Sequence, residues 1–244
     1  KSTVRRPASA SGTGQRPGSR LGRGHTAARF AGAKLTPMSR RATIKTLLVN
    51  HQRASPQSLA KHLRYIERDG VGRDGEPGQA YGPQTDVADL DAFKERCADD
   101  RHHFRFILSP EDGAELEDLR TYTRHLMGRM EADLGTGLDW VAVNHWNTDN
   151  PHTHIVVRGR DDTGKDLIIA GDYIADGFRY RAAELARLLG HLLDRLGARA
   201  GEHLLPDLLA PGAVELAEQV DEARDEVRLG DEEVDRQAQP QRRD

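Results

Sequence analysis

The alternation of apolar and polar residues predicts a strand and then a helix where the patterned part of the chain begins. Residues 42–50 alternate and are rich in β-branched side chains, which is typical of a strand. Ser55 followed by Pro56 has the composition of a helix start, and the helical pattern continues to about Arg68. The glycines and prolines of residues 70–83 then predict a loop.

The middle of the chain has the pattern of a strand, a long helix and a hairpin. Residues 103–108 alternate as a strand does. Residues 109–112 read Ser-Pro-Glu-Asp, a composition that favours a helix start, and apolar residues then recur at helical spacing to Leu134. Two strands, 138–144 and 154–158, follow with a short turn-rich link between them, so we expect an antiparallel hairpin.

Further elements complete the expected fold. A short helix is predicted over 86–98, a turn over 161–164, a strand over 166–170 and a helix over 179–189. Strands that pair locally and alternate with helices favour an α+β fold, with an antiparallel β-sheet and helices mainly on one face.

Charge divides the chain into three parts. Residues 1–41 contain ten Lys or Arg and no acid, which predicts a disordered basic arm suited to an anionic partner. The last 43 residues, 202–244, hold thirteen acids against five bases. We therefore expect one domain over 42–190, followed by an acidic tail over 191–244 with the Leu, Ala, Glu and Arg content of a helix.

The chain lacks the signals of a membrane or secreted protein. No apolar run is long enough to span a bilayer, and the basic N-terminal residues include no apolar segment of the secretory kind. Cys97 is the single cysteine, so an internal disulfide is impossible. A cytoplasmic location is the expectation.

Three histidines have the spacing of a metal site. His152 and His154 lie two apart at the start of a predicted strand, so their rings project from the same face. His145 ends the preceding strand, and a hairpin would bring all three to one sheet edge. Three imidazoles bind a divalent ion such as Mn, Mg or a similar transition metal, with positions left open for substrate oxygens. In the connecting turn, Asp149 could add a ligand or orient a histidine.

The segment His145-Trp-Asn-Thr-Asp-Asn-Pro-His152-Thr-His154 resembles the third motif of conjugative relaxases, the mobilisation nucleases of the HUH endonuclease superfamily, and their T-DNA border nickase-like branch in particular. Residues 60–70 resemble the tyrosine motif of this family, and residues 104–112 its intervening strand-to-helix motif. Thr153 stands where the family has a hydrophobic residue, and Asn147 where many relaxases have an aspartate. The resemblance makes Asp149 the local substitute that would orient His145, with Asn147 beside it.

The resemblance implies an activity and a setting. A relaxase of this kind is a metal-dependent enzyme that nicks one strand at a specific site, a plasmid transfer origin, during conjugative mobilisation. A tyrosine forms a covalent 5′-phosphotyrosine intermediate and frees a 3′ hydroxyl. Its partners would be single-stranded or locally melted DNA, accessory mobilisation proteins and a secretion coupling protein, in a bacterial cytoplasm.

Among the five tyrosines, Tyr65 is the leading candidate for the nucleophile. On a helical wheel it lies about 100° away from the stripe of Leu59, Leu63 and Ile66, toward a cationic flank. That flank and the hairpin supply the candidate DNA-binding residues, which are Lys61, Arg64, Arg68 and Arg158.

Two alternatives stay open. Tyr173 and Tyr180 follow the histidines in the chain, an order that resembles rolling-circle replication initiators and single-tyrosine transposases. A DNA-binding remnant that keeps the fold without cleaving is the non-enzymatic alternative.

Overall fold

The computed structural model describes residues 22–31, 42–55, 57–111, 113 and 118–195, with side chains to residue 188. In chain order the helices and strands are α1 (His25–Ala31), β1 (Ala42–Asn50), α2 (Ser58–Ile66), α3 (Leu90–Arg96), β2 (His102–Pro110), α4 (Leu119–Leu134), β3 (Leu138–His145), β4 (His152–Asp161) and α5 (Phe178–Arg195). A π-helical turn, Tyr173–Gly177, leads into α5. Within these ranges no helix has the length and hydropathy needed to cross a membrane.

The strands form one antiparallel sheet in the order β1-β2-β4-β3, which confirms the predicted α+β fold. One face carries alternate apolar residues such as Phe106, Trp140 and Ile155, and these pack with α1, α4 and α5 in the main core. The opposite face carries Val141, Val143 and Val156 beneath α2 and α3. The larger group of helices therefore lies on one face, and α2 and α3 pack on part of the other.

The predicted hairpin is present and sets the register of the histidines. β3 and β4 pair antiparallel with His145 opposite His152 and Val143 opposite His154. Directly opposed residues of an antiparallel pair point to the same face. All three histidines therefore lie on the face covered by α2 and α3.

Two predicted element boundaries are wrong. Ser109 and Pro110 do not begin a helix, because both pair with β1 as the last residues of β2. The long helix α4 begins at Leu119, where the Asp118 carboxylate accepts the backbone N–H of Thr121 at 2.9 Å.

The strand predicted over 166–170 is replaced by irregular chain with isolated bridges. Asp166 bridges to Arg160, and Ile169 bridges to Arg23 of the N-terminal segment. The neighbours of Ile169 complete this contact, since the Arg23 N–H donates to the Ile168 carbonyl at 2.8 Å and the Ala170 N–H donates to the Arg23 carbonyl at 3.0 Å.

Part of the predicted basic arm is ordered. Residues 22–31 contain α1, whose Ala28 and Ala31 are buried, and the Arg23 guanidinium donates to Asp161 at 2.9 Å. The expected disorder over 1–41 is therefore wrong for these ten residues. The remainder, 1–21 and 32–41, and the tail after 195 lie outside the described residues. At the other end α5 continues to Arg195, past the expected boundary at 190.

A buried carboxylate ties β4 to the chain before β2. Asp100 is 4% exposed, and its two oxygens accept from Arg158 Nε at 2.8 Å and from Arg160 Nε at 2.9 Å. Removing one partner of such a buried pair leaves the other charge without compensation.

We expect Asp100→Ala to lower the free energy of unfolding by about 3 kcal/mol, because two arginines lose their common acceptor. Urea unfolding followed by circular dichroism measures this. The matched control is Asp91→Ala, whose carboxylate is exposed and pairs with Lys94 on the same helix, and a loss below about 0.5 kcal/mol is expected there. Equal losses in the two variants would contradict this account of Asp100.

Candidate active site

His145, His152 and His154 converge on one place at the turn end of the β3–β4 hairpin. One ring nitrogen of each lies within 4.8 Å of the corresponding atoms of the other two. Ring centroids are 4.4 Å apart for His145 and His154, and 5.3 Å apart for His145 and His152. His145 and His154 are buried, while His152 is half-buried and faces the opening. The spacing of the histidines in the sequence anticipates this convergence.

Backbone carbonyls orient two of the rings. His145 Nε2 lies 2.8 Å from the carbonyl oxygen of Ile66, the last residue of α2, so this nitrogen donates. The other ring nitrogen, Nδ1, is buried and has no hydrogen-bond partner. His152 Nδ1 donates in the same way to the Asn150 carbonyl at 3.0 Å. Each ring thus keeps one lone pair free, and an unsatisfied buried nitrogen beside two further imidazoles fits a divalent metal ion.

Burial keeps His145 and His154 neutral near pH 7. Desolvation is the main cause that lowers the pKa of His145 to about 4 and that of His154 to about 3. The charges of the neighbouring histidines and of Arg68 act in the same direction. Neutral imidazole is the form that ligates metals, so these two rings need no deprotonation at physiological pH.

The orienting role expected of Asp149 falls to the main chain. Among the described residues, neither Asp149 nor Asn147 hydrogen-bonds to any of the three histidines; the partners are the carbonyls of Ile66 and Asn150. Both side chains lie in the exposed turn between β3 and β4, and a carbonyl brought in by α2 already occupies the donor of His145.

Tyr65 lies directly beside the histidines. Its ring centroid is 6.4 Å from that of His145 and 6.1 Å from that of His154. Leu59, Leu63 and Ile66 are buried, as the helical wheel predicts, while Tyr65 is 52% exposed. Its hydroxyl makes no hydrogen bond within the described part of the chain. A reactive oxygen that is exposed and unengaged can meet a phosphate held by the histidine site.

The other four tyrosines are engaged elsewhere. Tyr173 belongs to the main core on the opposite face of the sheet, and burial raises the pKa of both Tyr173 and Tyr180 above the usual range. Each hydroxyl donates a hydrogen bond of 2.7–2.9 Å, with Asp133 accepting from Tyr173, Glu184 from Tyr180, Asn144 from Tyr81 and the Ala182 carbonyl from Tyr122.

The predicted DNA-binding residues divide into two groups. Lys61 and Arg64 are exposed on α2, and the Arg68 guanidinium lies 4.3 Å from the centroid of the Tyr65 ring. Arg158 is in a different position, near the far end of β4 and bound to the buried Asp100. We correct its expected role to a structural one, because Asp100 already engages its guanidinium.

Two residues near the site were not among the candidates from the sequence. The His62 ring lies 6.3 Å from Tyr65 and 6.0 Å from His154, centroid to centroid. His62 lies three residues before Tyr65 on the same helix, so the sequence alone could have predicted that the two side chains are neighbours. Arg105 projects from β2 onto the sheet face that carries the histidines. The local sequence gives no sign of this position, because it depends on β2 lying next to β4 in the sheet.

The site thus consists of an antiparallel sheet with three imidazoles on one face and a helix that presents a tyrosine to them. The family model for the nuclease domain of MobA/VirD2-like relaxases matches residues 65–175. This part of the chain is therefore similar to the nuclease domain of these relaxases, which confirms the resemblance seen in the motifs. The match spans Tyr65, all three histidines and strands β2 to β4. No curated protein matches the chain.

We expect Mn²⁺ to bind with one ion per chain and to stabilise the fold. At a free concentration one hundred times the Kd the gain in unfolding free energy is about 2.7 kcal/mol. His152→Ala should abolish both the binding heat and the shift in Tm, because it removes a ligand that is half-exposed and outside the core. Isothermal titration calorimetry and thermal melts measure the two effects.

His125→Ala is the control for the metal experiment. His125 is half-buried on α4, on the opposite side of the sheet, and this variant should bind Mn²⁺ like the wild type. Retention of the Mn²⁺ shift in His152→Ala would contradict the three-histidine site.

Proposed function

We propose that this protein is a metal-dependent relaxase that nicks one DNA strand at a plasmid transfer origin, with Tyr65 as the nucleophile. The observation that carries the proposal is the juxtaposition of an exposed tyrosine, whose hydroxyl has no hydrogen-bond partner in the described chain, with three imidazoles on one sheet face. The relaxase nuclease family supplies the reaction class. The choice of nucleophile rests on the contacts of the five tyrosines.

The reaction is a transesterification at phosphorus. The Tyr65 oxygen attacks the scissile phosphate, a tyrosine O–P bond forms, and the P–O3′ bond breaks. The tyrosine proton passes to water, and the departing 3′ oxygen takes up a proton to become the free hydroxyl. The strand on the 3′ side stays attached through its 5′ phosphate, which conserves the energy of the phosphodiester for rejoining.

The site residues divide the work between them. A divalent ion on His145, His152 and His154 would polarise the scissile phosphate and offset the charge that develops on its oxygens. Tyr65 is positioned at the rim by the docking of α2, so the phosphate is approached from the exposed side. Arg68, whose guanidinium covers the Tyr65 ring, has no carboxylate partner among the described residues and is available to the DNA backbone.

The proposal includes a setting. The substrate is single-stranded or locally melted DNA at a transfer origin, and the ten cations of residues 1–41 suit an additional contact to it. Accessory mobilisation proteins and a secretion coupling protein are the further partners, in the cytoplasm of a bacterium.

We expect Tyr65→Phe to reduce formation of the covalent protein–DNA product by more than about 10³-fold, since only the attacking oxygen is lost. The assay uses Mn²⁺ and a pool of single-stranded oligonucleotides with a randomised centre and a fluorophore at the 3′ end. The label stays with the protein on a denaturing gel because the 5′ phosphate is the point of attachment. Sequencing of the trapped DNA also identifies the preferred site.

Tyr173→Phe and Tyr180→Phe are the matched controls, and both should retain the adduct. Peptide mapping of the wild-type product gives the attachment site directly. Phosphotyrosine at Tyr173 or Tyr180 would move the protein to the replication or transposition enzymes. Binding without any adduct would identify a non-cleaving DNA-binding protein.

A further inference from the structure

Arg105 lies on the site face, one strand away from the metal-binding histidines. It is opposite Val156 of β4, and its neighbour on the same face of β2, Ile107, is opposite His154. Arg105 and His154 are thus diagonal neighbours, whose Cα atoms lie about 7–8 Å apart in an antiparallel pair. That separation is comparable to one nucleotide step along an extended strand.

Neutral groups hold the Arg105 guanidinium in a fixed orientation. Nη2 donates to the Ser58 carbonyl at 3.1 Å and to Ser58 Oγ at 3.2 Å, at the first residue of α2. Nε donates to His103 Nε2 at 2.9 Å, and His103 Nδ1 is 2.6 Å from His51 Nε2. Because His103 accepts through Nε2, its proton is on Nδ1 and is donated to His51. Within the described chain Nη1 makes no hydrogen bond.

The charge of Arg105 has no carboxylate partner in the described residues. Burial lowers its pKa, and no acid acts in the opposite direction. Several arginines elsewhere in the fold show the contrary arrangement, since carboxylates bind Arg96, Arg124, Arg158, Arg160 and Arg181. A partly buried cation is unfavourable without an anion. The charge of Arg105 acts on His62, whose ring lies 6.0 Å from that of His154, so an anion between the histidines and Arg105 would be close to both.

We propose that Arg105 binds a second, non-scissile phosphate of the DNA strand, a nucleotide step from the phosphate attacked by Tyr65. The inference rests on the proposed function, because it takes a DNA strand across this face as given. Arginine presents a planar fork that suits phosphate, and two of its nitrogens are already fixed by Ser58 and His103. Nη1 is the nitrogen that meets the DNA.

The first test measures the salt dependence of binding to an oligothymidylate in the presence of EDTA, so that no cleavage takes place. Each phosphate contact on a single strand contributes about 0.7 to the slope of log K against log salt. We expect Arg105→Gln to reduce the slope by about 0.7. Arg158→Gln, which removes an arginine of the same sheet face that is already paired with Asp100, should leave it unchanged. An unchanged slope in folded Arg105→Gln overturns the proposal.

A second measurement needs no variant and so does not depend on how Arg105→Gln folds. Phenylglyoxal modifies accessible arginines, and peptide mass mapping gives the extent at each position. We expect bound oligothymidylate to protect Arg105 and to leave Arg53, on the exposed turn after β1, unchanged. Equal modification of Arg105 with and without DNA overturns the proposal.

The two proposals fail in different ways. Loss of the phosphate contact at Arg105 appears in the slope and in the protection, both measured without metal. Failure of the proposed nicking function appears as the absence of a covalent adduct in the presence of Mn²⁺, whatever the slope is.

Discussion

The site depends on the docking of α2 against the sheet, and above all on the hydrogen bond from His145 to the Ile66 carbonyl. The last carbonyls of a helix have no partner inside the helix, so they are free to accept from outside. Here one of them, the Ile66 carbonyl, accepts from His145 and leaves the other ring nitrogen, Nδ1, with its lone pair free. Ile66 is the residue after Tyr65 at the end of α2, so the same bond also holds Tyr65 near the histidines. A single contact therefore sets His145 and Tyr65 relative to each other.

Apolar packing beneath α2 has two effects: it stabilises the helix, and it keeps His145 and His154 neutral. Leu63 and Ile66 press against Val143 and remove water from this part of the sheet face. That packing stabilises the helix, and it also disfavours protonation of His145 and His154, which share the face. Among the described residues, Arg68 and Arg105 beside this patch have no carboxylate partner, whereas Arg96, Arg158 and Arg160 toward the other end of the sheet are paired with Asp139 and Asp100.

The sequence predicted the site better than it predicted its surroundings. The hairpin follows from alternation and a short turn, and once it forms, the positions of the three histidines follow from the register. The angle of Tyr65 follows from the helical period. Arg105 could not be found in this way, because its nearness to His154 depends on β2 lying next to β4, an order set by long-range pairing. Local signals also gave wrong predictions at two places. Ser109 was expected to begin a helix, but it pairs with Thr43 of β1 and so belongs to the sheet. Residues 22–31 were expected to be disordered, but they form a helix that distant contacts such as Arg23 with Asp161 hold in place.

The use of a carbonyl in place of a carboxylate has a consequence for the ion itself. Imidazoles bind a metal in their neutral form, and two of the three here are oriented by neutral main-chain groups. Such a ligand set has no net charge, so a divalent ion would present its full charge to the phosphate. An aspartate behind a histidine would share that charge and also strengthen the hold on the ion. The arrangement would make a bound ion more electrophilic at the cost of weaker binding, so that the metal would exchange with solution. Because the acceptor is backbone, a change of side chain at position 66 does not remove it.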